Sequence, residues 1–303
     1  MRVTHNMMTN SVIIQLHRQS KQLLETQNEI STEKRINKPS DDPIGASQVL
    51  RYRRAIASVE QYQTNIDRGK TRIELNELTL GMVDDLLLRA RELARANTAS
   101  DVSPEARQIA AEEVKDLYEH IMQSANAKDG DNYLFSGHQT ATAPFSRDAD
   151  YNATYHGDDG TVRVIIGENV EVSIDADGRN IFQNAANGGV NVFDALKDLI
   201  DGLENADLVA GRAQIRAAIQ PLDDAHRQVN YKRSEYGPKL YRFEVAENHW
   251  FNFKPRVEMA LSEIEQADIA KAIVDLKNIE LAYETTVATA ARIIQPGLIN
   301  FLK

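Results

Sequence analysis

Cysteine is absent from the 303-residue chain, which excludes disulfides, thiolate metal sites and a cysteine nucleophile. Glycine (15) and proline (8) are few, too few for the many turns of an all-β sandwich or barrel of this length, so long helices are favoured. Aromatic residues make up 6%, with one tryptophan, so the side chains that fill a broad globular core are scarce. No apolar run approaches the roughly 18 residues needed to cross a bilayer. Val12-Ile13-Ile14 is the only apolar cluster near the start, without the apolar core or cleavage site of a secretory signal peptide. Positive charge is in deficit: 35 basic against 45 acidic residues leave −10, which argues against non-specific nucleic-acid binding and against anionic membrane surfaces.

Catalytic chemistry is equally sparse. Histidines stand at 5, 17, 120, 138, 156, 226 and 249, none at metal-ligand spacing from another, so no metal or cofactor is expected. Asp41-Asp42 has no histidine nearby, and capping a helix uses both carboxylates without any acid-base role. Gly157 to Gly160 and Gly188-Gly189 match no phosphate-cradling loop. Asn152-Ala153-Thr154 is a formal glycosylation sequon that chance explains. No enzyme activity is expected from these residues.

What is present is helical periodicity. From Ile44 to about Asn97 there is no proline, and Val59, Tyr62, Ile66, Ile73, Leu80, Val83, Leu87, Ala90 and Ala94 recur at alternating steps of three and four, a coiled-coil seam. Gly69 and Asn76 fall on the same register and weaken it locally. Ser103-Pro104 starts a second helix, with serine as cap and proline at the first helical position, running to about Asn126. Further helices begin near Asp194 and Val209, and the last of these carries Ile215, Ile219, Leu222, Val229, Tyr236, Leu240, Phe243 and Trp250 on one stripe. Gly237-Pro238 and Pro255 predict a kink or break in it.

Between Asp129 and Asn187 the period changes to two. Val162, Val164 and Ile166, then Val170, Val172 and Ile174, flank Gly167-Glu168-Asn169 and predict a β-hairpin. Residues 133–188 hold 3 basic and 8 acidic side chains, so 3 − 8 = −5, half of the net charge, lies in this insert. It is expected to project into water as a self-contained module. The predicted fold is mainly α: an elongated antiparallel helical rod with coiled-coil terminal helices and a small β-rich inserted domain. Its expected parts are a terminal domain over 1–43 plus 262–303, a helical domain over 44–131 plus 189–261, and the insert over 132–188.

The two ends carry matching apolar stripes: Ile13, Leu16, Leu23 and Ile30 at one, and Ile269, Leu276, Ile279, Tyr283, Val287 and Ile294 at the other, with Ala272 and Ala290 between them. Neither has a local partner, so they pair with each other or with copies in other molecules, and these residues are the candidate assembly interface.

Residues 30–45 read Ile-Ser-Thr-Glu-Lys-Arg-Ile-Asn-Lys-Pro-Ser-Asp-Asp-Pro-Ile-Gly. This stretch resembles the N-terminal signature of the bacterial flagellin family. Ser262 to Ala272 and the apolar ending Leu298-Ile299-Asn300-Phe301-Leu302 resemble its C-terminal signature. Asn132-Tyr133-Leu134-Phe135-Ser136-Gly137, Pro144-Phe145 and the opening Met1-Arg2-Val3-Thr4 resemble the branch of that family that joins hook to filament. Tyr236-Gly237-Pro238 departs from the pattern, because the related proteins tend to carry a non-proline helix former there.

The resemblance implies signature residues at Arg35, Asn37, Ser40, Asp41, Asp42, Pro43, Gly45, Tyr133, Phe135 and Gly137. Read physically, 34–45 is a joint between two helices: Ser40 or Asp41 caps the next helix, and Lys34 or Arg35 pairs with Asp41 or Asp42. The resemblance further implies a structural adaptor that assembles as a ring joining the flagellar hook to the filament. Its implied partners are copies of itself, the first hook-associated protein, flagellin, and a flagellar export chaperone on the C-terminal segment. It also implies secretion through the flagellar type III apparatus and an extracellular place at the junction. The alternatives are a short flagellin that builds the filament itself, or a cytoplasmic helical scaffold protein.

Overall fold

The computed structural model describes residues 5–99, 102–174, 177–184 and 188–299. Eight helices follow in chain order: α1 (His5–Thr32), α2 (Pro43–Ala96), α3 (Pro104–Ala125), α4 (Gly178–Phe182), α5 (Val192–Glu204), α6 (Leu208–Ser234), α7 (Tyr236–Glu265) and α8 (Ile269–Ile299). Six short strands lie between α3 and α4: β1 (Lys128–Asp129), β2 (Asn132–Tyr133), β3 (Phe145–Arg147), β4 (Ala153–Tyr155), β5 (Arg163–Gly167) and β6 (Val170–Ser173). They pair as three separate antiparallel two-stranded ribbons, β1 with β2, β3 with β4 and β5 with β6. The fold is thus mainly α with small antiparallel strand pairs.

The helix starts obey local chemistry. Ser103 Oγ accepts the Ala106 N–H at 3.2 Å, with Pro104 at the first helical position. Asn191 and Asp207 cap α5 and α6 in the same way, satisfying N–H groups that have no partner within the helix. The break expected at Gly237-Pro238 is present: α6 ends at Ser234 and α7 begins at Tyr236, which puts Pro238 in the first turn of α7, where a missing N–H costs no hydrogen bond. Pro255 lies inside α7, and Pro221, which the periodicity did not flag, lies inside α6.

The chain divides into two compact units, one of Met1–Ser58 and Asn252–Lys303, the other of Val59–Phe251. In the second, the α2 seam faces inward: Ile66, Ile73, Leu80, Val83, Leu87, Ala90 and Ala94 are fully buried. They share one core with Val114 and Ile121 of α3, Leu196 and Leu199 of α5, and Ile215, Leu222 and Val229 of α6. On α3 the buried stripe is Ala110, Ala111, Val114, Tyr118 and Ile121, while Ile109 is 70% exposed.

Here the structure corrects two expectations. The boundaries of the units lie inside α2 and α7, about four and three turns from the expected ones, and 132–188 does not stand apart as a third, self-contained module. Phe135, Phe145, Ile166, Val172, Ile174 and Phe182 are buried in the same core as the helices. Phe145 and Phe182 lie edge to face at 5.3 Å between centroids, and Phe145 reaches Phe193 of α5 at 5.4 Å. The side chain of Asn126, just past α3, accepts the Phe145 N–H and donates to its carbonyl, both at 2.9 Å. The segment is acidic outside and aromatic inside, and those aromatics have no core of their own to enter.

The predicted hairpin is present as β5 and β6, with a register shift between Ile165 and Gly167. That shift places Val170 opposite Gly167 and leaves it 43% exposed, while Ile166, Val172 and Ile174 are buried.

Candidate functional site

The joint lies in the first unit, where α1 ends. Glu33 adopts a left-handed conformation (φ 58) and terminates the helix. The chain then runs antiparallel to the segment between α7 and α8, through a bridge between Lys34 and Gln266. The Arg35 N–H donates to the Glu265 carbonyl at 2.8 Å and the Ala267 N–H to the Glu33 carbonyl at 3.0 Å. Entry to and exit from the terminal helices are therefore tied backbone to backbone, which satisfies groups that would otherwise be orphaned at three helix ends.

Charges complete the tie. Glu265, only 6% exposed, receives Lys34 at 3.0 Å and also Arg53 of α2. Arg35 reaches Asp42 at 3.4 Å and donates to the Ile264 carbonyl at 3.0 Å. Lys34 therefore pairs with Glu265 rather than with Asp41 or Asp42, and Arg35 makes the pairing expected of the signature.

The two aspartates divide the capping work in a way that differs from expectation. Asp41 accepts the N–H groups of Lys38 at 2.8 Å and Asn37 at 3.1 Å, closing the loop before the helix. Asp42 is the residue that caps α2, accepting the Gly45 N–H at 2.9 Å. Pro43 at the first helical position displaces the cap by one or two residues from Ser40 or Asp41, because the capping oxygen must lie just outside the helix. Ser40 instead donates to Asp41 at 3.4 Å. The Lys38 N–H holds the Asp41 carboxyl below its ordinary range, and the Gly45 N–H does the same for Asp42, with help from Arg35. Asn37 donates its side-chain amide to the Lys34 carbonyl at 2.8 Å. Gly45 is closely approached: a Cβ there would stand 2.5 Å from the Asp42 carboxylate and 2.6 Å from the end of the buried Ile36 side chain, so both would have to shift.

The terminal stripes meet each other. α1 packs against α8, and since α1 ends at the joint where α8 begins, the pair is antiparallel. Leu16, Leu23, Ile30, Ile269, Leu276, Ile279 and Tyr283 are only half-buried, and Ile13 and Val287 stay exposed. The side chain of Ile294 lies outside the described residues. Away from the seam, Ile14 (64%), Leu24 (57%), Val274 (59%) and Leu281 (62%) are open to solvent.

Tyr133, Phe135 and Gly137 belong to the second unit and have structural tasks there. Phe135 is fully buried against Phe182, and Tyr133 pairs with Lys128 across the β1–β2 ribbon. Gly137 has φ 67, a conformation that favours glycine, and Asp158 occupies the place of a Cβ. Asp158 there accepts the His138 and Gly160 N–H groups at 2.8 and 2.9 Å.

Glu265 and Gln266 fall in the C-terminal signature, but their place in the joint, and that of Arg53, could not be read from the sequence. Arg53 and Glu265 stand 212 residues apart, and neither spacing nor composition connects them. Among the described residues no group of three His, Asp or Glu could hold a metal ion, and no helix is long and apolar enough to cross a membrane.

A pair of terminal helices tied through a capped joint to a helical unit with small strand ribbons is the organisation to compare with known proteins. Residues 3–140 match the family model of the bacterial flagellin N-terminal helical region. The flagellar hook-associated protein 3 of Escherichia coli (strain K12) is 28% identical over 233 residues, covering 71% of this chain and 73% of the relative. That of Salmonella typhimurium is 26% identical over 258 residues, covering 79% and 80%. A solved Vibrio parahaemolyticus chain described as a flagellar hook-associated protein superposes with a TM-score of 0.68 at 22% identity, covering 75% of this chain and all of that one. Over residues 3–140 the chain is thus similar to the bacterial flagellin N-terminal helical region. Its sequence is similar to that of hook-associated protein 3, and its fold is that of the solved hook-associated chain.

Proposed function

We propose that this chain is a structural adaptor of the bacterial flagellum that assembles as a ring joining the hook to the flagellin filament. The observation that carries the reading is the similarity to hook-associated protein 3 over most of both chains. The terminal pair supports it physically: two antiparallel helices leave Ile14, Leu24, Val274 and Leu281 open to water, and a helix pair with a wet apolar face is marginal alone. Packing copies of the pair side by side removes that surface from water at about 25 cal/mol per Å². We assign Ile13, Leu16, Leu23, Ile30, Ile269, Leu276, Ile279, Tyr283, Val287 and Ile294, with the uncovered residues beside them, to this interface. The capped joint holds entry and exit together at the base of the pair. The proposed neighbours are further copies, the first hook-associated protein on one side and flagellin on the other. An export chaperone shields the C-terminal segment before secretion through the flagellar type III apparatus.

Electron microscopy of a strain lacking this chain tests the reading. Intact hooks on the cell with filaments shed into the medium are expected, reversed by restoring the chain. Filaments that stay attached without it overturn the adaptor function, and purified chain that grows long filaments unaided makes it a filament subunit instead.

A further inference from the structure

Beside the joint lies a groove of about 550 Å³ between the end of α1, the joint loop and the first turns of α2. Its floor is apolar, with Ile36 and Val49 buried and Leu50 51% exposed. Its rim is basic: Lys34, Lys38 and Arg53 line it, and no carboxylate does. Glu265 answers Lys34 and Arg53. Lys38 and Arg54, the latter one turn beyond Leu50, are exposed; Lys38 is answered only at longer range by the Asp41 carboxylate, and among the described residues no carboxylate forms an ion pair with Arg54. The groove thus keeps an excess of positive charge over an apolar floor, in a chain whose net charge is −10.

The same unit exposes the opposite surface on α7. Met259 is 62% exposed and is flanked by exposed Glu258 and Glu263. Glu263 follows Met259 by one helical turn, so the two share a face. Glu258 meets Lys254 only at 4.0 Å, and Arg256 is the one cation on the Met259 face. Glu258 borders a neighbouring cleft with Thr32 and Lys34, but Met259 is not among the groove's lining residues, so within one molecule the Met259 side chain does not fill the groove.

We infer that they meet between molecules: Met259 of one copy enters the groove of the next, with Glu258 and Glu263 facing Lys38 and Arg54. The unbranched thioether suits an irregular apolar floor, and the charges fix orientation and exclude like surfaces. Because groove and knob are different surfaces, the contact is head to tail, the kind that closes into rings or propagates along helices. The inference rests on the assembly proposed above and adds to it a specific contact outside the apolar stripes of the terminal helices.

The absence of cysteine makes the test clean. Cells co-expressing Leu50→Cys and Met259→Cys copies are expected to yield, on oxidation of isolated hook-filament structures, a disulfide-linked dimer that neither variant forms alone, since the bond requires Cα atoms within about 7 Å. Lys38→Glu with Arg54→Glu is expected to cause loss of filaments, as is Glu258→Lys with Glu263→Lys, and combining all four in one chain restores attachment. Attached filaments with no cross-link, and no loss from either charge reversal, overturn the contact while leaving the adaptor function standing. Attached filaments in the strain lacking the chain overturn the adaptor function itself.

Discussion

Gly69 sits on the buried seam of α2, where a Cβ would lie 2.5 Å from the ring of Phe243. The residue that weakens the seam in sequence is the one that admits an aromatic ring from α7. Phe243 is fully buried and cannot swing aside, so Gly69→Ala is expected to destabilise the chain by about 1–3 kcal/mol through overpacking, read from urea unfolding. Asn76, the other polar residue of the seam, donates to the Ile174 carbonyl at 3.3 Å and anchors the hairpin. The joint aspartates make a different prediction. Their carboxyls are held below the ordinary 3.8 by the N–H groups they accept, so the folded joint favours the charged forms. Their contribution is complete above 3.8 and is lost as pH falls through the lowered values. Amide shifts of Lys38 and Gly45 should therefore titrate with midpoints below 3.8 in NMR spectra, and Asp41→Asn should abolish the Lys38 step while sparing that of Gly45.

The strand ribbons hold the helices together from within. Phe182 of α4 is fully buried and touches Phe135, Phe145 and Phe193, so Phe182→Ala is expected to cost about 3–5 kcal/mol and to shift the thermal transition of the helical signal in circular dichroism. A transition that stays in place would return the segment to the status of a detachable module. α1 and α8 behave in the opposite way, because much of their apolar surface is not yet covered. Leu281 is 62% exposed, so Leu281→Asp should leave the melting of the free chain unchanged. Desolvating that carboxylate between packed helices costs several kcal/mol, so filaments should be lost from hooks although the variant is exported. Leu276 is half-buried against the helix pair, and Leu276→Asp is expected to loosen the pair as well as block assembly.

The two units differ in what stabilises them. Among the described residues almost all fully buried apolar side chains lie within 59–251, whereas the other unit buries Ile36, Val49, Val257, Ala272 and Ala290. Local opening follows buried apolar contact, so limited proteolysis of the unassembled chain should cut within 5–32 and 269–292 first and leave 59–251 as the resistant fragment. Cleavage first inside 59–251 would contradict this. In the assembly proposed above, the exposed faces of α1 and α8 are the surfaces that other copies cover.

Much of this was legible without coordinates. The α2 seam, the start of α3 at Ser103-Pro104, the β5–β6 hairpin and the apolar stripes of α1 and α8 depend on residues within a few turns of one another, and periods of 3.6 and 2 record such local geometry directly. The signature at 34–45 likewise announced a capped joint. Which aspartate caps was decided by where α2 begins after Pro43. Tertiary structure alone brought Glu265 and Gln266 beside Lys34 and Arg53, placed Phe243 over Gly69, and drew Phe135, Phe145 and Phe182 into the helical core. Those contacts join residues tens to hundreds of positions apart, and no local period carries the information about which distant surface an apolar or charged face will meet.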